Sequence, residues 1–210
     1  MTDIEYFYSS HSAFAFLGSA HLMAIAEAAG VRILHKPYDL HHVMAEIGSG
    51  SFAGRTPAHK AYYFGREIER WAEHRGVAWL GKRPTHHSND YTLANRVLIA
   101  GLTQDLNIDR LAHAFLEGHW GDDADLAVPA TLKELARTAG FDPDPLLDAA
   151  NSDQVVALHQ ENTQEAIRRS VFGSPTYFVG GDMFYGQDRI ELVERALKQP
   201  YGGVWPPDGP

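Results

Sequence analysis

The sequence has 210 residues, 44% hydrophobic and 21% charged, with a formal net charge of −9 and no cysteine. That length can bury a sizeable core, as one domain or one domain carrying an insertion. The acidic balance argues against a nucleic-acid surface. Lack of cysteine excludes disulfides, thiolate metal sites and thiol redox chemistry, and no apolar run approaches the ~20 residues of a membrane span.

The acidic start, MTDIEY, enters a strand at once and does not read as a signal peptide, so a cytoplasmic location is expected. Ile4–Tyr8 is β-branched and aromatic and predicts a buried strand. Ser9, Ser10, His11 and Ser12 interrupt it, and the Ala- and Leu-rich run from Ala13 predicts a helix ending at Gly30. Ser12 is the N-cap candidate, beside unpaired N–H groups and the positive end of a helix dipole, a place that favours anions. Val31–Pro37 predicts a second strand, parallel to the first because a helix crosses between them. A short amphipathic turn, His41–Ile47, precedes a loop rich in Gly, Ser and Pro.

From Ala58 to Ser170 the pattern is helical apart from a short extended link, Val77–Pro84. Helices are predicted over Ala58–Arg75, Asp90–Asp105, Arg110–Trp120, Val128–Ala139 and Pro143–Ala150, with a sixth capped by Ser152 or Asp153 and reaching about Arg169. Strands return at Thr176–Val179 and Met183–Tyr185 around Gly180-Gly181-Asp182, a hairpin turn, and Gln187–Lys198 predicts an amphipathic terminal helix. The order βαβ, helical block, ββα predicts an α/β chain with a thioredoxin-like fold and an inserted all-helical domain. Residues 1–60 and 171–210 are assigned to a discontinuous thioredoxin-like domain and 61–170 to the insertion.

Three segments resemble one family end to end: FYSSHSAFAFLG, PAHKAYYFGREIERWAEHRGVAW and GSPTYFVGGDMFYGQDRIELVERAL. The chain is similar to 2-hydroxychromene-2-carboxylate isomerases and kappa-class glutathione transferases, in the DsbA-related branch of the thioredoxin fold. The resemblance implies glutathione as cofactor, with Ser12, rather than Ser9 or Ser10, as the serine that meets its sulfur. It implies a cis Ser174–Pro175 bond facing the first helix, so that Ser12 and the Ser174 backbone line one cleft. Ser174 and Pro175 would pair with the peptide backbone of glutathione. Gln187 and Asp188 would take its γ-glutamyl end and Lys60 a carboxylate. Ser51 falls where the family often has an Asn, and Ala13 stands in place of its proline.

The implied reaction is cis–trans isomerisation of an aromatic α,β-unsaturated ketoacid by reversible thiolate addition. A hydroxyl donated to the sulfur, together with the helix N-terminus, favours the thiolate. Arg55, Arg83, His86 and His87 are candidates for the substrate's acid group. A homodimer is implied, with no nucleic-acid or membrane partner. A kappa-like transferase and a non-catalytic glutathione- or peptide-binding module are the alternatives. The 12 histidines raise a metal reading, through His41, His42 and Glu46 or His86, His87 and Asp90, but no specific ligand motif is present and no metal is assigned. His11 is expected at the turn surface, and Tyr62, Tyr63 and Phe64 in the core or a dimer contact.

Overall fold

The computed structural model describes residues 2–48 and 54–203; Ser51 lies outside them. Four strands form one sheet, β1 (Ile4–Tyr8), β2 (Ile33–Pro37), β3 (Thr176–Val179) and β4 (Asp182–Tyr185), in the order β2-β1-β3-β4. β1 pairs parallel with β2 and antiparallel with β3, with Tyr6 opposite His35 on one side and Tyr177 on the other.

The sheet is buried on both faces, which is why Tyr6, Phe7 and Tyr8 of β1 run without alternation. One face carries Ile4, Tyr6 and Tyr8, with the Tyr6 ring stacked between those of Tyr8 and Tyr177. The other carries Phe7 and Phe178, packed with Tyr38, Val43 and Val171. The first face receives α1 (Ala13–Ala29). That helix also packs against α4 (Glu67–Arg75), α6 (Asp109–Asp122) and α10 (Ile190–Lys198). It is therefore lined by small and apolar residues almost all round, and it ends at Gly30 with φ 65°, the left-handed geometry that glycine adopts without cost.

The second face receives α2 (Leu40–Glu46) and α9 (Asp153–Arg168). Helices α5 (Thr92–Thr103), α7 (Pro129–Thr138) and α8 (Pro143–Ala149) complete the helical wall. α5 touches β2, α8 and α9, so the helices between β2 and β3 share the main core with the sheet. Ser152 caps α9 as its sequence position predicts, its hydroxyl accepting from Val155 N at 3.4 Å.

Two predicted helices differ in detail. The run from Ala58 to Arg75 is a helix from α3 (Pro57–Ala61) into α4, but Tyr62–Arg66 between them winds as a π-helix. The terminal helix opens with a tight 3-10 turn, Gln187–Arg189. That turn presses on α1: a Cβ at Gly18 would lie 2.8 Å from Gln187 Cβ and 2.7 Å from Ile190 Cδ1.

Gly18→Ala pits a helix-propensity gain of ~1 kcal/mol against overpacking that costs ~1–3 kcal/mol. Because Gln187 Cβ, 2.8 Å away, is tied to backbone and cannot swing aside as the Ile190 methyl can, the clash should win, and urea denaturation should show a net loss of stability. Gly65→Ala, which meets open space, should show none.

Candidate active site at the buried serine turn

The turn Ser9–Ser12 between β1 and α1 is buried, with no member above 7% exposed. A buried turn needs partners for its backbone groups, and they come from distant segments. Ser9 N donates to Ser174 Oγ at 3.0 Å and Ser10 N to Asn95 Oδ1 at 3.0 Å. The carbonyl of His11 accepts from Trp120 Nε1 at 2.9 Å, and Ser12 N donates to Ser9 O at 3.0 Å. Asn95 is itself fully buried on α5 and donates through Nδ2 to Tyr38 O at 2.9 Å.

Ser12 is the N-cap of α1, its Oγ accepting from Ala15 N at 3.3 Å. The same hydroxyl donates to the carbonyl of Ser174 at 3.0 Å, across 162 positions of sequence. The Ser174–Pro175 bond is cis. Ser12 and Ser174 both line a cleft of about 640 Å³. Its walls come from α2 through Leu40, His41 and Met44, from the π-helical segment through Tyr63 and Phe64, and from His87, Trp120 and Tyr185. A groove of about 250 Å³ continues from it, sharing Phe14, Tyr63, Ser174 and Tyr185, and ends at Glu67, Gln187, Asp188 and Arg189.

The cleft and the groove differ in charge. Among the described residues, those lining the cleft include no carboxylate, Lys or Arg. The groove holds Asp188 paired with Arg189 at 2.6 Å and Glu67 paired with Arg70 at 2.5 Å. Gln187 contributes no open carboxamide oxygen: it is 1% exposed and its Oε1 accepts from Arg75 Nε at 3.2 Å. Arg75 also donates to the Gln187 carbonyl at 3.0 Å, pinning the 3-10 turn to α4.

The other expected site residues divide. Pro175 follows the lining residue Ser174 but, like Lys60, is not itself among the residues that line cleft or groove; Lys60 sits on α3, one turn before Tyr63 and Phe64. Of the acid-group candidates, His87 lines the cleft. Arg83 donates to Ser88 Oγ at 2.8 Å, His86 faces Asp125, and the Arg55 guanidinium lies 5.4 Å from the centre of the Tyr63 ring. Tyr63 and Phe64, both on the π-helical segment, line the cleft, and Phe64 also packs against the main core. Tyr62 points out and is 55% exposed.

His11 is buried, contrary to the expectation from its place in a polar turn. Its ring stacks on Tyr91 at 3.8 Å between centroids, and Trp120 covers its carbonyl. Neither partner has a local signal, since both come from helical segments far along the chain. Burial, and then the neighbouring His87, push the His11 pKa well below its usual value. Burial, and then His119, push that of His87 down to about 3. Tyr63 is pushed up to about 12, chiefly by burial, and is hydrogen-bonded to Tyr185. No group of three or more potential ligands that could hold a metal occurs among the described residues.

These histidines link stability to pH. With a folded pKa below the unfolded value of ~6.5, each binds more protons when unfolded. Their contribution is complete above pH ~6.5 and is lost as pH falls toward the folded value, about 3 for His87. The urea midpoint should therefore fall between pH 7 and pH 4, and His87→Gln should flatten that slope.

A family profile for the DSBA-like thioredoxin domain matches residues 3–198. The chain is 28% identical over 200 residues to a 2-hydroxychromene-2-carboxylate isomerase of Pseudomonas sp. (strain C18), covering 92% of this chain and 89% of that protein. It is 24% identical to glutathione S-transferase kappa 1 of Rattus norvegicus, covering 97% and 94%. A solved 2-hydroxychromene-2-carboxylate isomerase superposes with a TM-score of 0.76 at 25% identity, covering 93% of this chain and 94% of that one. With the profile spanning residues 3–198, the chain belongs to the family of DSBA-like thioredoxin domains.

Proposed function

We propose that this protein is a glutathione-dependent cis–trans isomerase of the 2-hydroxychromene-2-carboxylate type, acting on an aromatic, unsaturated ketoacid. The observation that carries the reading is the placement of Ser12 Oγ at the N-terminus of α1, in the cleft and 3.0 Å from the carbonyl of Ser174, a residue that lines both the cleft and the charged groove.

The residues fit a thiol tripeptide. A hydroxyl donor and the positive end of a 17-residue helix meet where a sulfur would lie. Ser174 presents backbone beside the groove. The adjacent opposite charges of Asp188 and Arg189 suit the ammonium and carboxylate of a γ-glutamyl end. When bound, glutathione supplies a reversible nucleophile that lets a conjugated double bond become single, rotate and reform.

The chain's own part is electrostatic and steric. Ser12 can turn its hydroxyl from the Ser174 carbonyl to a sulfur anion, and the N–H groups of the first turn of α1 point the same way. Both favour the deprotonated thiol over the protonated one. The walls of Phe14, Tyr63, Phe64 and Trp120 hold an aromatic body and exclude water from the reacting carbon. Arg55 and Arg83 are cations for the acid group at the margin of the cleft.

Titration of glutathione by calorimetry, with the thiolate absorbance followed against pH, tests the reading. Bound thiol should ionise at least ~1 pH unit below its free value of ~8.5. Ser12→Ala should raise that pKa, reduce isomerisation by ~100-fold and leave glutathione affinity within a few-fold. No binding to the wild type would sink the glutathione assignment. Conjugation of electrophiles without isomerisation would instead mark a transferase.

Asp188→Asn should weaken glutathione binding by roughly tenfold, the loss of one charge-assisted contact, with the thiol pKa unchanged. An equal effect on both would mean that the groove is not where the γ-glutamyl end lies.

A further inference from the structure

The cleft wall opposite the groove contains a chain of imidazoles with a fixed sense of hydrogen bonding. It begins at the Ala124 carbonyl, which can only accept. His119 Nδ1, 2.9 Å away, must therefore carry a proton. Burial keeps His119 neutral, so its Nε2 is a lone pair. His87 Nδ1 lies 2.9 Å from that lone pair and must be the donor. A neutral His87 then has a bare lone pair at Nε2.

His11 is fixed in the opposite sense. Its Nδ1 lies 2.7 Å from Ser9 Oγ. Ser9 is fully buried, and among the described residues His11 Nδ1 is the one acceptor its hydroxyl proton reaches. Ser9 therefore donates, His11 Nδ1 accepts, and the His11 proton sits on Nε2. Both rings line the cleft, with centres 5.1 Å apart, next to Ser12. Neither Nε2 has a partner among the described residues, and neither is sealed from the cleft. The wall thus shows one donor and one acceptor on two adjacent rings whose centres lie 5.1 Å apart.

A single neutral hydroxyl satisfies both, accepting from His11 Nε2–H and donating to His87 Nε2. An ether or a phenolate satisfies only the first and leaves a lone pair facing a lone pair. We propose that His11 and His87 are the specificity-determining pair of this cleft and select a substrate that carries a protonated hydroxyl on its aromatic end. This deepens the isomerase reading above and rests on the aromatic acid occupying this cleft. His119 acts through His87 as a positioning residue that fixes its tautomer.

Binding of trans-2-hydroxycinnamate and trans-2-methoxycinnamate, followed by quenching of tryptophan fluorescence at pH 7, tests the assignment. The wild type should bind the hydroxy acid at least ~10-fold more tightly than its methyl ether, a modest value for a site built to hydrogen-bond a hydroxyl. His87→Phe keeps a flat ring against Trp120 and should bring the ratio within ~2-fold while the methoxy acid still binds. His119→Gln should lower the ratio without abolishing binding. A wild-type ratio near one, binding of neither acid, or an undiminished ratio in a folded His87→Phe protein would overturn the proposal. The comparison of two ligands on the wild type needs no variant to fold. Glutathione titrated separately distinguishes the two readings: a hydroxyl preference that survives without any glutathione binding supports the histidine pair and sinks the cofactor assignment.

Discussion

Burying a polar turn constrains everything around it. Ser9–Ser12 carries four backbone amides and four side chains able to hydrogen-bond, all withdrawn from water. Each buried polar group left unpaired costs ~1–3 kcal/mol, so the turn is tenable only where donors and acceptors are supplied from outside. Ser174 supplies them from the end of the chain, Asn95 from α5 and Trp120 from α6. The helical wall is thus a condition for the turn to exist in this form, and the cleft is the space left where wall, turn and cis-proline loop fail to close.

That origin explains why the cavity is polarised. At the groove end the short 3-10 turn meets Glu67 and Trp71 of α4, and charged side chains reach water there. At the other end the wall is built from α2, the segment before α5, and α6, whose inward residues are aromatic rings and imidazoles. Charged groups in that place would have to be desolvated, and the histidines respond by staying neutral. An extended polar ligand and a flat aromatic one can therefore share the cavity, each in the half suited to it.

The frame was readable because its signals are local. Alternation and β-branching mark β2 and β3, composition marks α1, and Ser152 and Gly30 mark helix ends at the residues where they act. The pairing of Ser12 with Ser174 was accessible through the resemblance, since a proline ahead of a strand has meaning only once the fold is known. What sequence could not supply were partners fixed by tertiary packing. Nothing around Asn95 distinguishes it from a solvated helix asparagine, and nothing beside Arg75 announces that it will occupy Gln187. His11 was misread for the same reason: a histidine among serines is ordinarily wet, and only the arrival of Tyr91 and Trp120 makes it part of the interior. Lys60, offered by the resemblance as a carboxylate contact, lines neither hollow.

The π-helical turn at Tyr62–Arg66 has a further meaning for how such a cleft can change over generations. A π turn holds one residue more than the α turn it replaces, and each residue of an α-helix advances ~100° around its axis. Loss of a single codon between Tyr62 and Arg66 would let the segment relax to α geometry. Helix α4 would keep its packing on α1, while the side chains upstream swung by about a quarter of a turn. Tyr63 and Phe64 would leave the wall together, and a differently shaped ligand would find room. One insertion or deletion, tolerated by the rest of the fold, is thus enough to trade one aromatic wall for another.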